Sequence, residues 1–483
     1  MFRILFKKEL LENIQNHRFL LALILCLVIV PLGFYVNQKD HADRQALYEE
    51  TVKDYEQTRV TAVDLMKNGG AAFRPPASMG LLAGGIEMVL PNAVETKGYI
   101  SNRGAQVQFN NGRRLDNPFP VLYGRLDLVF IVTVVLSVLV MIFAFNAVAG
   151  EKERRTLAQM LANPVPRPTV IAAKMAASGL LIAAAFLAGV AAGVLVCAAA
   201  GLDILGGAGQ AATLAVGVGA SLLYLLVFLS LGLLVSSLSR SSAAAMVTLL
   251  ACWVALFMIL PKASVAVSKL LYQVKSQQVV DLEKARMRLQ SQNELGKAIE
   301  NLMKTTPGIK DMSTDAYMKA SREKNATVEA YEKAQDKLND ESRARLEDEL
   351  DRVDADFELR KGRQAAVART ISRLSPMSCL VHVLTELAGT GFTEERAWRE
   401  TRARFKQTID RELSSKMEMR VFGDLAYGGG NLDRNAPAPK LPPEAVTLEK
   451  RLAAVWVDLA LLGIYGILFF AGAYVAFLRY DVR

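Results

Sequence analysis

Six apolar runs, each about as long as a membrane-crossing helix, constrain the fold of this chain more than any other feature. The hydrocarbon core of a bilayer is about 30 Å thick, so a helix needs about 20 apolar residues to cross it. The runs occupy residues 19–37, 126–149, 169–200, 211–236, 243–260 and 451–478. Of the 483 residues, 52% are hydrophobic and 22% are charged, and most of the charge lies between the runs. The pattern predicts an all-α polytopic membrane protein with sizeable parts outside the bilayer.

Basic residues mark one side of the predicted spans as cytoplasmic. Cytoplasmic loops of membrane proteins carry an excess of Lys and Arg. The short segment 150–168, the turn that holds Arg240 and the tail 479–483 are all basic. A six-span chain places them on the same side, whereas a five-span chain would separate the first from the last. We therefore expect six transmembrane helices with both termini in the cytoplasm. The same distribution accounts for the net charge of +9 without a nucleic-acid partner.

The N-terminal residues 1–18 read MFRILFKKELLENIQNHR and predict a basic cytoplasmic helix that lies on the membrane surface. The alternative is a disordered basic tail. The first apolar run, 19–37, is interpreted as an uncleaved signal anchor. The basic stretch before it is long, and no small-x-small cleavage site follows it.

The first segment expected outside the cytoplasm is 38–125. Its beginning, 40–66, is charged and compatible with a helix, and the chain then becomes rich in Gly and Pro. The short apolar pieces 86–90 and 106–109 fit either strands or segments lying on the membrane surface, and periodicity does not decide between them.

The second and larger outside segment is 261–450. Its charged helices carry apolar residues about every 3.5 positions, as coiled coils do. These residues are Val267, Leu271, Val274, Leu282, Ala285 and Leu289, followed by Leu346, Leu350, Val353 and Phe357. A break at 305–308 (TTPG), followed by the capping candidates Ser313, Thr314 and Asp315, predicts a long helical hairpin in a mostly helical extracytoplasmic domain.

Three further stretches complete this outside segment. The apolar stretch 375–390 fits either the outer leaflet or the core of the extracytoplasmic domain. Residues 392–419 predict an amphipathic helix. Residues 427–443 are rich in Gly and Pro and are interpreted as a linker before the last span.

Two features inside the spans have more than one interpretation. Gly189 and Gly193 are spaced for close helix approach, either within a crowded bundle or in a dedicated dimer motif. Asp127 and Asp458 are intramembrane acids near the outer interface. A structural role, with water or a neighbour such as Arg125 or Arg451 as partner, is favoured over a substrate or proton relay.

Motifs of catalysis or nucleotide binding are missing from the sequence. No G-x-x-x-x-G-K-[ST] and no nucleophile–base constellation occurs. The four cysteines and three histidines are too scattered for a disulfide framework or a metal site. We expect no enzyme and no cofactor on this chain.

One segment carries a family resemblance. FNAVAGEKERRTLAQMLANPVPRPTVIAAK resembles the segment after the second span of type-2 ABC transporter permeases. The N-terminal FKKELLENIQNHRF is similar to their cytoplasmic connecting helix. LSPMSCLVHVLTELAGTG and the terminal FLRYDVR resemble a subset with a large extracytoplasmic insertion before the last span. Arg155 departs from the pattern, because the family usually has Gly before Thr-Leu.

The resemblance implies partners and a location. The permease would pair with a second copy or a sister permease in the bacterial cytoplasmic (inner) membrane. Cytoplasmic ABC ATP-binding subunits would hold ATP and Mg beneath it, and 150–168 would be the coupling segment that contacts them. The implied ATPase-coupling residues are Glu151, Lys152, Glu153, Arg154, Arg155, Thr156 and Leu157, with Lys7, Lys8 and Glu9 on the N-terminal helix.

Three functions remain open at the level of sequence. The first is a permease that exports a lipid, peptide or small amphiphile in contact with membrane lipid. The second is a mechanotransmission or assembly subunit whose outer hairpin works on an extracytoplasmic protein partner without transport. The third is a membrane-anchored scaffold or sensor, which the coupling segment disfavours.

Overall fold

The computed structural model describes residues 1–15, 17–58, 71–87, 93–101, 104–111, 124–162, 166–207, 209–323, 325–414, 419–422, 425–428 and 446–479. In this part of the chain, six helices are long and apolar enough to cross a membrane. They are His17–Thr58, Leu128–Glu153, Arg167–Ala199, Gln210–Leu238, Ser242–Leu271 and Leu448–Leu478. The prediction of an all-α polytopic membrane protein is confirmed.

The chain forms two compact units. The main unit comprises Met1–Ile259 and Arg373–Arg483, and the hairpin unit comprises Leu260–Ser372. Helices of the main unit are α1 (Phe2–Gln15), α2 (His17–Thr58), α3 (128–144), α4 (Ala149–Glu153), α5 (Thr156–Ala162), α6 (Arg167–Ala199), α7 (Gln210–Leu238) and α8 (Ser242–Val254). Within α3, residues Ile131–Leu136 form a π-helical turn, and a second π-helical turn, Ala255–Ile259, follows α8.

The hairpin unit contains α9 (Leu260–Leu271), α10 (Gln277–Thr305), α11 (Thr314–Arg322) and α12 (Ala326–Ser372). The chain then returns to the main unit with α13 (Pro376–Ala388), α14 (Phe392–Ser414) and α15 (Leu448–Leu478). The sequence grouped 261–450 as one outside region, whereas the packing divides it after Ser372.

The first span belongs to a helix that continues far beyond the predicted boundary at residue 37. Helix α2 has 42 residues and ends at Thr58. Its second half, 38–58, contains neither Gly nor Pro, so nothing in the local sequence interrupts the helix. Charged residues 40–58 are therefore helical, as the sequence indicated, and 59–66 lie outside the described residues.

Close approach of α2 and α6 explains the glycine pair. A Cβ on Gly189 would lie 2.7 Å from the carbonyl oxygen of Cys26, and one on Gly193 would lie 2.9 Å from the ring of Phe34. Such distances are too short for real Cβ atoms, so these positions require glycine. Of the two interpretations, the structure supports packing within one bundle.

Short strands form two small sheets. Strands β1 (Ala71–Phe73), β2 (Ala93–Ser101) and β3 (Gly104–Asn111) form an antiparallel sheet in the order β1-β2-β3. Strands β4 (Met419–Phe422) and β5 (Leu425–Gly428) pair as an antiparallel hairpin. The piece 106–109 lies in β3, and most of 86–90 lies outside the described residues.

The hairpin unit forms as expected, but one of its predicted stripes is wrong. Lys284 of α10 pairs with Asp354 of α12, and the hydroxyls of Ser291 and Ser342 lie 3.2 Å apart, as an antiparallel pair requires. Side chains 346, 350, 353 and 357 are half-buried. Predicted stripe residues Leu282 and Leu289 are instead 70% and 61% exposed.

The beginning of α10 explains that error. Ser276 begins the helix, because its hydroxyl accepts a hydrogen bond from Val279 N. Residues 272–276 are not helical and separate α9 from α10, so one apolar stripe cannot continue in phase from α9 into α10. The other end agrees with the sequence: α10 stops at Thr305, and Ser313 caps α11 through a hydrogen bond from Ala316 N.

Helix α13 is packed in the core of the main unit, among candidate membrane spans, so neither of the two positions expected for 375–390 describes it. Its residues Cys379, Leu380, Val383, Leu384 and Leu387 are fully buried among spans α7 and α15. Ser375 caps it through a hydrogen bond from Ser378 N, and Gly389 ends it with φ +76°, a left-handed conformation that favours glycine.

Candidate coupling site

The coupling segment begins where α3 turns into α4, and Ser236 of α7 holds that turn. The Ser236 hydroxyl accepts hydrogen bonds from Val148 N (3.0 Å) and Ala149 N (2.9 Å) and donates to Phe145 O (2.8 Å). Backbone groups at a helix break lack intrahelical partners, and one buried serine supplies three of them here. The turn is therefore fixed to the fourth span.

A buried ion triad connects three elements below this turn. Lys174 of α6 donates to Glu9 Oε1 of α1 at 3.0 Å and to Glu151 Oε1 of α4 at 2.6 Å. Lys174 is only 3% exposed, and Glu9 only 7%. Removing one partner of a buried ion pair typically costs about 3–5 kcal/mol, because a charge remains without compensation. The triad thus joins the N-terminal helix, the coupling segment and the third span.

Two other residues of α4 are bonded to neighbouring helix ends. Lys152 Nζ donates to the carbonyls of Ser237 and Ser239, where α7 ends. Glu153 Oε2 accepts from the N–H (3.2 Å) and hydroxyl (2.8 Å) of Ser242, where α8 begins. A cation at a helix C-terminus and an anion at an N-terminus both complement the helix dipole. Helix α4 is therefore tied to the fourth and fifth spans as well.

The outward face of the segment consists of Arg154, Arg155 and Thr156, whose side chains are exposed. Leu157 is fully buried in an apolar cluster with Val148. On α1, Lys7 and Lys8 are exposed, whereas Glu9 is buried in the triad.

Arg155 has a left-handed backbone with φ +57°, and among the described residues it is the one non-glycine with positive φ. Left-handed conformations cost L-residues about 1–2 kcal/mol. Glycine, the residue that the resemblance leads one to expect here, would avoid that cost. The departure noted in the sequence thus sits at a backbone position that suits glycine.

The same end of the main unit contains the end of the last span. Phe477 of α15 lies in the apolar cluster with Leu157, and Leu5 of α1 packs against it. Arg167 at the start of α6 donates to Leu478 O at 2.7 Å. The N-terminal helix, the coupling segment and the C-terminal end of α15 are therefore neighbours, as six spans require. Which side of the membrane they face stays a prediction.

The two intramembrane acids lie near other groups than expected. Asp458 is fully buried, accepts from Arg373 Nε (2.9 Å) and Nη2 (3.0 Å), and lies 3.2 Å from His382 Nδ1. Asp127 caps α3 by accepting from Gly84 N (2.8 Å) and Phe130 N (2.9 Å). Both carboxylates have partners within the chain, and the choice of a structural role over a relay stays a prediction.

Arg125 and Arg451, the partners expected from the sequence, are engaged elsewhere. Arg125 pairs with Asp40 at 2.6 Å, and Arg451 pairs with Glu394 at 3.1 Å. Burial raises the pKa of Glu394 above its usual value, and the neighbouring Arg451 opposes that rise. Arg125 still acts on Asp127 electrostatically, but the ion pairs of the two arginines are with other carboxylates, because neighbours in sequence are not the nearest groups in the packed bundle.

The six candidate spans agree with the number expected from the sequence, and comparison with known families decides the question of identity. The model of a family described as "ABC-2 family transporter protein" matches residues 3–482. The chain belongs to the ABC-2 transporter family. A search of the curated proteins found no match. As an ABC-2 family membrane protein, the chain is expected to work with an ATP-binding subunit on another polypeptide.

The structure of this ABC-2 family member separates the predicted coupling residues into two groups. Glu153, Arg154, Arg155, Thr156, Lys7 and Lys8 are exposed, and of these Glu153 also accepts hydrogen bonds from Ser242. Glu9, Glu151, Lys152 and Leu157 bond or pack within the chain. Contact with an ATP-binding subunit stays a prediction for both groups. Lys174 and Ser236 were not predicted as site residues. The signal for Lys174 was a cation in the apolar start of a span.

Proposed function

We propose that this chain is the permease subunit of an ATP-driven exporter in the bacterial inner membrane. A separate ATP-binding subunit docks on the exposed face of the coupling segment and on α1. The observation that carries the proposal is the position of the coupling segment: Arg154 and Arg155, which follow α4, are exposed, while α4 itself is tied to α6, α7 and α8. Movement of the segment would therefore reach three spans directly.

The proposed cargo is a lipid, peptide or small amphiphile. A groove of about 480 Å³ between α6 and α7 supports this choice. Its lining, which includes Met175, Leu180 and Leu226, is entirely apolar, and it lies within two candidate spans. A lining without polar groups suits an acyl chain or apolar side chain better than an ion or a sugar.

A second permease, either another copy or a sister chain, completes the proposed transporter. The fifth candidate span, Ser242–Leu271, is buried over only 11% of its apolar window. That leaves most of its surface for lipid or for a neighbouring permease.

The docking proposal is tested by charge reversal at the exposed arginines. We expect the double variant Arg154→Glu/Arg155→Glu to lose the ATP-binding subunit in co-purification from native membranes. In the proposed contact the two arginines pair with acidic groups of that subunit, and glutamates in their place would repel those groups. Arg240→Glu is the matched control, since it reverses an exposed cation in the other short loop on this side. Unchanged co-purification of the double variant would contradict the proposal that the ATP-binding subunit docks on this face.

Mechanotransmission is the second candidate, and the independent hairpin unit favours it. Helix α12 has 47 residues, so it is about 70 Å long at 1.5 Å per residue. A helix of this length would transmit movement from the main unit to a partner protein outside the cytoplasm. This candidate shares the coupling site with the exporter and differs from it in needing the hairpin.

The register of the hairpin gives a clean truncation that separates the two candidates. Because Ser291 and Ser342 face each other, residues 292–341 can be replaced by a short Gly-Ser loop without shifting the rest of α10 against α12. An exporter is expected to keep transport in reconstituted vesicles. A mechanical device would lose its action while the complex still hydrolyses ATP.

A further inference from the structure

We propose that Lys174 is a positioning residue that latches α1, α4 and α6 into one block, so that displacement of the coupling segment moves the N-terminal helix and the third span together. The inference deepens the proposed function and rests on it. It assigns no contact with the ATP-binding subunit to Lys174, which is buried.

The charge balance of the triad makes its cation indispensable. The triad's two carboxylates and one ammonium sum to a net charge of −1, and the exposed Lys8, 3.9 Å from Glu9 Oε1, is a more distant cation than Lys174. Both carboxylates reach the ammonium through Oε1, and the second oxygen of Glu151 is buried without a hydrogen-bond partner. Without Lys174 the two acids would repel each other at low dielectric. Loss of the cation therefore opens α1 and α4 at once.

Other contacts of these helices do not replace the triad. Lys152 and Glu153 tie α4 to α7 and α8. Helix α1 packs on α6, and Leu5 adds an apolar contact to the cluster around Leu157. Lys174 is thus the shared polar partner of α1 and α4 among the described residues.

Hydrogen–deuterium exchange of the chain in lipid nanodiscs tests the latch. In Lys174→Met we expect amide exchange about tenfold faster in both α1 and α4, with α7 and α15 unchanged. Glu9→Gln keeps the Lys174–Glu151 pair, so it is expected to accelerate α1 alone. Arg3→Met is the matched control, because it removes an exposed cation from α1 without removing a member of the triad; wild-type exchange is expected.

Two outcomes would overturn the latch. One is unchanged exchange of α1 and α4 in a folded Lys174→Met chain, and the other is a loosening spread evenly over all spans. Should Lys174→Met fail to fold, the Glu9→Gln comparison still decides: acceleration of α4 as much as α1, or of neither, contradicts the proposal.

The link to function is tested separately on the complex with its ATP-binding subunit. ATP with vanadate is expected to change exchange in α4 and α6 together in the wild type. In Lys174→Met, ATP hydrolysis should continue while the response of α6 is lost; a preserved response contradicts the latch. Failure of any ATP-binding subunit to co-purify with the wild type would instead contradict the proposed function.

Discussion

At the scale of single residues, Arg155 departs from the pattern of the resemblance, which has glycine here, and its backbone has a conformation that suits glycine. Its φ of +57° is left-handed, although arginine has a Cβ. The neighbouring Arg154 is right-handed with φ −82°. The two arginines are therefore a matched pair for testing backbone strain.

We expect Arg155→Val to lower the free energy of unfolding by about 1–2 kcal/mol, because a β-branched side chain fits the left-handed region poorly. Arg155→Gly should be at least as stable as the wild type. Arg154→Val is the control and should stay within about 0.5 kcal/mol, as exposed substitutions usually do. Thermal unfolding in detergent measures all three. Equal losses at 154 and 155 would argue against strain at Arg155.

Asp458 is the second residue whose environment defines a test. We expect Asp458→Asn to lower the free energy of unfolding by about 2–3 kcal/mol, because it replaces a charged partner of a bidentate Arg373 bond. The double variant Arg373→Met/Asp458→Leu should lose less than the sum of the single changes. Chemical unfolding of the wild type, Arg373→Met, Asp458→Leu and the double variant gives the coupling energy. A normally stable Asp458→Asn that has lost transport would favour a relay role instead.

At the scale of elements, the contact of α2 with α6 depends on a missing side chain. The Cβ of an alanine at Gly189 would collide with the backbone of α2, and backbone cannot move aside as a flexible side chain can. Gly219 on α7 has nothing within 4 Å of its Cβ position. The same substitution is therefore predicted to act in opposite directions at these two sites.

Gly189→Ala is expected to lower the free energy of unfolding by about 1–3 kcal/mol through overpacking. Gly219→Ala should raise it by about 0.5–1 kcal/mol, because alanine favours helix. Thermal unfolding gives the sign of each change, and the mass of the purified particle shows whether oligomeric state changes. A Gly189→Ala chain that kept its stability but lost its dimer would restore the dimer-motif interpretation.

At the scale of the whole molecule, the two units differ in how much apolar surface they bury. In the described part of the hairpin unit, the buried hydrophobic residues are Val280, Ile309, Val328 and Tyr331. The main unit has a large continuous core that spans α2, α3, α6, α7, α13 and α15. Since burial of apolar surface drives folding, the hairpin unit should be the less stable one.

Thermal unfolding followed by circular dichroism at 222 nm is expected to show two steps. The first should be the hairpin unit, because long helices with little buried surface open before a packed bundle. The chain lacking 292–341 should lose most of the amplitude of that step and keep the second. A single transition at the same temperature in both chains would contradict independent unfolding.

The sequence predicted the features that arise from local physics. Hydrophobic length predicted the six spans, because a helix that crosses a bilayer must be continuous and apolar. Turn chemistry predicted the end of α10 at Thr305 and offered Ser313, Thr314 and Asp315 as caps of the next helix, of which Ser313 is the one used. The phase of the stripe through Leu282 was wrong, because five residues between α9 and α10 break the helical period.

Tertiary structure alone decided which charged groups meet. Glu9, Glu151 and Lys174 lie on three different helices, and Glu9 and Glu151 are 142 residues apart in the sequence. Asp458 likewise meets Arg373 and not the nearby Arg451, and α13 is buried although its composition also fits a membrane surface. Burial makes an unpaired charge costly, so packing selects partners by distance in space, which one sequence does not encode locally.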